Sequence, residues 1–423
     1  MEKATKRSID PIADDLLKKA AKENLELSWD MHEDNLPHCG FGELALCCSK
    51  CMQGPCRIDP FGNNAKYGSC GRDAETMASE NLVQQLLSGL TPVIEEVDNI
   101  EILKENQNIQ GFLNGGINLE AEEIIGRTFN LIEDSFKEID LGSEKKEILN
   151  DVSLDNKKIV LSGKISDETL NLLKKSKNTS LFSMLNEYTY EGVKPLTNYG
   201  GQEFIIMSKF PDLVVAGSGC GKPILKQLAD EYNIPFIYEN DLNQEYIDNI
   251  ESSGSLDIGY LDFDLQNNYK DRLSNTEKIA LIAGCNNIKY PHDNKLKKTT
   301  EKLLESGYTI LTSGCAAMGL NKYFSNDDDI YYFGSCYSTP DFKEIAKEFK
   351  NKEVIAVFPE LSQVKAFTQA SYLALNGVKT YVMSKAFMPP YQEYKNILDN
   401  LNPNFKIQPE GFTIEELVDT LEL

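Results

Sequence analysis

Six of the ten cysteines in this 423-residue chain crowd between positions 39 and 70: Cys39, Cys47, Cys48, Cys51, Cys56 and Cys70. The loop also holds Gly54-Pro55 and the charged residues Lys50 and Arg57, so it does not read as ordinary apolar core. Cys48, Cys51 and Cys56 are spaced C-x2-C-x4-C, and Cys70 follows. Short spacers turn the backbone back on itself, so four thiolates converge and amide N–H groups point inward. Two centres fit this spacing: tetrahedral zinc or a [4Fe–4S] cluster with one thiolate per iron. Only three histidines accompany the ten cysteines, and Cys39 and Cys47 are left over; both facts tilt the reading towards iron–sulfur. A leftover pair is either structural or half of a four-ligand site that a two-fold mate completes, which requires a homodimer.

The other four cysteines need a separate account. Cys220, Cys285, Cys315 and Cys336 each follow a short apolar run and a Gly or Gly/Ser step: VVAGSGC, LIAGC, LTSGC and YYFGSC. In parallel sheets, ligands bind just beyond the carboxyl ends of the strands. Four cysteines in that context predict one shared metal centre, with glycine allowing the sharp turn before each thiol. The stretch Gly217 to Pro223 superficially resembles a phosphate loop. It has Ala216 where the first glycine belongs and Pro223 where Ser/Thr should follow Lys222, so nucleotide binding is set aside.

Pattern places these sites in an α/β chain. Residues 8–30 and 72–139 repeat apolar positions at helical spacing. After Lys157 short apolar runs alternate with helical stretches, the mark of parallel α/β sheets. The expected organisation is a helical N-terminal domain, 1–150, carrying the cluster loop 39–71. Two Rossmann-like doubly wound parallel-sheet units, 151–275 and 276–423, follow. The acidic stretch Asn326 to Asp329 reads as a solvated loop. Lys plus Arg total 43 against 66 Asp plus Glu, a net charge of −23. Such a polyanion is repelled by nucleic acid and by anionic membrane surfaces. No apolar run approaches the ~20 residues of a membrane span, and the charged start, Met1 to Lys6, lacks a signal-peptide core. The expectation is a cytoplasmic protein, where reducing conditions disfavour disulfides.

At this point a family resemblance is visible. The stretch Cys39 to Gly62, continuing from Gly68 to Gly71, resembles the N-terminal cluster region of the anaerobic nickel–iron carbon monoxide dehydrogenases. Gly284-Cys285-Asn286-Asn287, Ser313-Gly314-Cys315-Ala316-Ala317 and Gly334-Ser335-Cys336 look like three of that family's active-site motifs. Gln202-Glu203, followed by Asp212 and Cys220, looks like a fourth. The resemblance implies that Cys39 and Cys47 share an Fe–S cluster across a homodimer axis. It implies a [4Fe–4S] cluster on Cys48, Cys51, Cys56 and Cys70. It also implies an active-site cluster on Cys220, Cys285 and Cys315, with Cys336 reaching nickel. Lys365 lies where the family places a lysine that interacts with bound substrate. An external electron carrier such as ferredoxin and a small-molecule substrate complete the implied set of partners.

The departures matter equally. The chain is short for the family, and the deficit falls between Cys70 and Cys220. The family's iron outside the cubane takes a histidine and a cysteine from that half. Here Lys164 follows the matching strand, and the region from Leu181 to Glu187 has no cysteine. No histidine lies between His38 and His292, so the family's proton-relay histidines are missing too. His292 and Glu203 are the candidate substitute ligands. Oxidising CO needs water activated on a Lewis acid beside the bound substrate, and a proton exit. The resemblance therefore implies an oxidoreductase in which CO/CO2 interconversion is impaired or absent. Two alternatives stand beside it. One is a reductase of another small molecule, such as hydroxylamine or nitric oxide, as in the related hybrid-cluster proteins. The other is a non-catalytic electron carrier or redox/CO sensor.

Overall fold

The computed structural model describes residues 7–114, 120–139, 152–253, 258, 262–325, 329–383, 392–408 and 413–421. The charged start, Asn326 to Asp328 and the boundary at 150 lie outside the described residues. The chain forms two compact units, neither continuous in sequence. One takes Met1–Asp34, Glu144–Thr339 and Ile414–Leu423; the other takes Asn35–Ser143 and Pro340–Thr413. The division at 150 and 275 follows sequence pattern, whereas these units follow contacts.

In the second unit the cysteine loop carries a minimal antiparallel pair, β1 (Cys47–Cys48) and β2 (Cys56–Arg57). Its underside is a small apolar cluster of Leu46, Cys48, Ile58 and Met77. Met77 comes from the helix Ala74–Ile94, whose N-cap Asp73 accepts a hydrogen bond from the Thr76 N–H. The helices Ile100–Leu113 and Ala121–Glu138 complete the helical region the periodicity predicts.

The first unit holds the parallel strands β3 (Lys157–Ser162), β4 (Thr179–Leu185), β5 (Val193–Thr197), β6 (Leu213–Ala216) and β7 (Phe236–Tyr238). Their order is β5-β4-β3-β6-β7. Strand order reverses between β3 and β6, which opens a crevice at their carboxyl ends, as in other doubly wound sheets. β8 (Lys278–Ile282), β9 (Tyr308–Ser313) and β10 (Ile330–Gly334) pair in parallel in the order β8-β9-β10. In the second unit β11 (Glu353–Phe358), β12 (Lys379–Val382) and β13 (Phe405–Ile407) are likewise parallel. The apolar runs before Cys220, Cys285, Cys315 and Cys336 are strands β6, β8, β9 and β10. β4, β5 and β13 were not read from the sequence. Pro195 argues against a central strand, and the fold accommodates it because β5 is the edge.

Candidate metal centres

The N-terminal loop aims hydrogen-bond donors at two of its four thiols. Ser69 donates its backbone N–H to Cys56 Sγ at 3.3 Å, and its hydroxyl lies at the same distance from that sulfur. Arg72 donates from Nη1 to Cys70 Sγ at 3.0 Å. These donors hold both thiols below the usual range: Cys56 through the Ser69 hydroxyl and then its N–H, Cys70 through the Arg72 N–H and then its guanidinium. Cys39 is lowered similarly by the backbone N–H groups of Gly42 and Phe41. Donors aimed at sulfur suit a metal-bound thiolate, so the four-cysteine loop fits the cluster the resemblance implies. Cys39, Cys51 and Cys70 are exposed. Among the described residues, four of the seven large exposed apolar side chains, Leu36, Met52, Phe61 and Tyr67, lie in or just before the same stretch.

The second set of cysteines is buried chemistry. Each sits beyond a parallel strand of the first unit: Cys220 after β6, Cys285 after β8, Cys315 after β9 and Cys336 after β10. Each is preceded within two residues by a glycine at positive φ: Gly219, Gly284, Gly314 and Gly334. At Gly314, with φ +61°, a Cβ would also stand 3.0 Å from the Cα and Cβ of Cys336. Cys315 opens a helix, Gly314–Asn321, yet its thiol is pushed well above the ordinary range. Burial is the main cause, and repulsion from Cys285, Cys336, Cys220 and Glu187 adds to it. These five acidic groups therefore converge on one place. Bound cations would relieve the repulsion at Cys315, so the donor set fits a metal cluster.

Glu187 is the residue that sequence reasoning passed over. It follows β4 in the stretch noted only for lacking a cysteine. The Cys220 N–H donates to Glu187 Oε2 at 3.1 Å, and the Cys220 thiol donates to Oε1 at 3.2 Å. A Cβ at Gly219, where φ is +131°, would lie 3.0 Å from both carboxylate oxygens. The backbone holds the pair in place: the N–H of Cys336 donates to Asn186 O at 3.0 Å, and that of Tyr337 to Glu187 O at 3.3 Å. The available signal was positional, a carboxylate at the carboxyl end of a strand neighbouring the switch point. Lys164 also stands at that edge, where its N–H bonds Ser218 O between β3 and β6.

The other candidates have committed donor atoms. Glu203 is fully buried and accepts Lys222 Nζ at 2.7 Å and the Ser28 N–H at 3.0 Å. Its oxygens thereby lock the loop carrying Cys220 to the N-terminal segment. His292 has Ser8 Oγ 3.3 Å from Nδ1 and Asn198 Oδ1 2.9 Å from Nε2. Burial lowers its pKa to about 4, against the attraction of Asp293. Asp10, His292 and Asp293 have ligand atoms within 4.8 Å of one another. The Lys322 ammonium already serves as their cation, 3.1 Å from Asp10 and 3.0 Å from Asp293. Lys365 is buried in the second unit, on the helix Val364–Leu375. Among the described residues no helix is long and apolar enough to cross a membrane.

Comparison with known proteins bears on this geometry. The model of the Prismane/CO dehydrogenase family matches residues 46–176 and 178–417. Carbon monoxide dehydrogenase 1 of Carboxydothermus hydrogenoformans is 50% identical over 84 residues, 20% of this chain and 13% of that protein. Carbon monoxide dehydrogenase 1 of Methanosarcina mazei is 45% identical over 86 residues, 20% of this chain and 14% of that protein. The aligned stretches thus span far less than two thirds of either relative. Among solved structures, carbon monoxide dehydrogenase IV from C. hydrogenoformans superposes with a TM-score of 0.79 at 18% identity, covering 99% of this chain and 98% of that one. The as-isolated, Ni-free carbon monoxide dehydrogenase from Thermococcus sp. AM4 gives 0.74 at 16% identity, covering 98% and 96%. At such identities the likeness is one of fold.

Proposed function

The chain belongs to the Prismane/CO dehydrogenase family, and from that premise we propose that it is an iron–sulfur redox enzyme with a modified active-site centre. Cys220, Cys285, Cys315, Cys336 and Glu187 hold that centre. The observation that carries the reading is that the four cysteines follow parallel strands of the first unit, with the Cys220 thiol on Glu187 and Gly314 hard against Cys336. When bound, an iron–sulfur centre supplies electron storage and open coordination positions. The chain's own residues supply the rest. With Cys220 as a thiolate ligand, Glu187 Oε1 would lose the S–H donor it has now and would then serve as an oxygen ligand. Glu187, rather than His292 or Glu203, is therefore the oxygen ligand at the position where a family cysteine is absent. Lys365 holds substrate, as the resemblance implies.

Electrons exchange through the cluster on Cys48, Cys51, Cys56 and Cys70. A second copy of the chain completes the site at Cys39 and Cys47, covering the exposed apolar groups around it, and an external carrier such as ferredoxin connects the dimer to its partners. CO/CO2 interconversion is impaired in this reading, because Lys164 stands where the family has a histidine and the relay histidines are missing. A second activity, reduction of a small molecule such as hydroxylamine or nitric oxide, stands beside it, because an oxygen ligand from Glu187 is harder than the thiolate it replaces and changes the donor set of the centre.

The test is metal analysis together with paired assays on anaerobically prepared, nickel-supplemented protein. Iron without stoichiometric nickel, hydroxylamine turnover and background CO oxidation are expected. Stoichiometric nickel with rapid viologen-coupled CO oxidation would overturn the modified-centre reading. A colourless zinc protein would overturn the iron–sulfur reading altogether.

A further inference from the structure

Beside the four-cysteine loop lies a buried charge triad that the proposed chemistry does not use. Arg72 donates from Nε to Glu80 Oε1 at 2.7 Å and from Nη1 to Cys70 Sγ at 3.0 Å. The other carboxylate oxygen, Glu80 Oε2, accepts Lys50 Nζ at 2.9 Å. The residues are mostly withdrawn from solvent: Arg72 is 9% exposed, Glu80 5%, and the Lys50 side chain 17%. Two cations and one carboxylate leave a net positive charge against the loop, carried by side chains largely withdrawn from water and delivered to Cys70, which is itself exposed.

The arrangement has a built direction. Glu80 projects from the helix Ala74–Ile94, whose Asn81 donates to the Ala45 and Cys47 carbonyls and so fixes the helix against the loop. With Nε taken by Glu80, the planar guanidinium turns its Nη1 edge to Cys70, and the fork leaves little freedom to turn elsewhere.

We propose that Arg72, oriented by Glu80, raises the reduction potential of the cluster held by Cys48, Cys51, Cys56 and Cys70 and so makes that centre an electron acceptor. This rests on the reading that those cysteines hold a cluster. Reduction adds one negative charge to the centre, spread over its sulfurs. A charge-assisted hydrogen bond to a thiolate sulfur stabilises the reduced form more than the oxidised one. Glu80 is a positioning residue with two opposed effects. It aims the guanidinium, and its own negative charge tempers the field.

The experiment is an EPR-monitored redox titration of the anaerobic holoprotein and the variants Arg72→Gln and Glu80→Gln, with iron counted in each. Arg72→Gln should shift the couple towards the oxidised form at least tenfold at fixed ambient potential, about 59 mV downward for one electron. Glu80→Gln keeps the guanidinium and removes the tempering charge, so the couple should shift the opposite way. A merely structural role would move both variants in the same direction or only lower their iron content. An Arg72→Gln couple within threefold of the parent at full iron content overturns the proposal, as do two shifts of the same sign. If Arg72→Gln fails to take up the cluster, Glu80→Gln decides alone: a rise supports the proposal and no rise overturns it. Parent protein lacking iron on the loop would instead break the underlying reading.

Discussion

The two cysteine sites are built on opposite principles. The loop at Cys48 to Cys70 is local: a short stretch turns on itself, and N–H, hydroxyl and guanidinium donors reach its sulfurs from Ser69 and Arg72. Its Cys56 and Cys70 thiols are eased towards the thiolate before any metal arrives. The site at Cys220, Cys285, Cys315 and Cys336 is assembled from four strand ends in the first unit, and burial with mutual repulsion drives the Cys315 thiol the other way. One site is suited to a cluster that passes electrons with little rearrangement. In the proposed reading the other would hold the active-site centre, whose metal would offset the repulsion at Cys315.

The contrast breaks most visibly at Cys315. Cys315→Ser should remove about four irons per chain, those of one cubane, while the EPR signal of the N-terminal cluster persists. Loss of both signals would mean that the sites are not independent. Glu187→Ala comes next. Iron content should hold, but the Mössbauer spectrum of the active-site centre should change and turnover should fall at least tenfold, about 1.4 kcal/mol of barrier. An unchanged spectrum would remove Glu187 from the ligand set.

The first unit should also be acid-sensitive at His292. His292 is neutral in the fold with a pKa of about 4, below its unfolded value near 6.5. The unfolded chain therefore binds the proton first. This contribution is full above pH 6.5 and is lost as pH falls towards 4, at up to about 1.4 kcal/mol per pH unit. Denaturant midpoints of the metal-free protein across that window check it, and His292→Gln should flatten the slope. Gly314→Ala places a Cβ in the left-handed region and against Cys336. It should cost about 1–2 kcal/mol and lower active-site iron, leaving the loop cluster intact. The smallest effect is expected for Ser69→Ala, which removes a hydroxyl near Cys56 but keeps the backbone donor. Its cluster potential should move less than that of Arg72→Gln, and a larger shift would relocate the main tuning group.

The difference between the sites also governs what could be read in advance. Cys48, Cys51, Cys56 and Cys70 declare themselves by spacing, because ligands within one loop are close in space whatever the rest of the chain does. The strand-end cysteines were legible as a class, since Gly-Cys after an apolar run marks a carboxyl edge. Glu187 carried no comparable mark. It follows a strand that was itself missed, one of many acidic residues in a chain with 66 of them. Glu203 and His292 were named as candidate ligands for their chemistry; their hydrogen-bond partners Lys222, Ser28, Ser8 and Asn198 come from remote segments that no local pattern names.

The amino-acid sequence by itself determined the parallel α/β class, the cysteine loop and the division of ten thiols into two groups, all consequences of short-range spacing and periodicity. Only the tertiary structure decided which acid faces Cys220 and which cation faces Cys70. Those pairings depend on strand order and helix placement, which bring residues such as Glu187 and Cys220, or Arg72 and Glu80, to hydrogen-bonding distance.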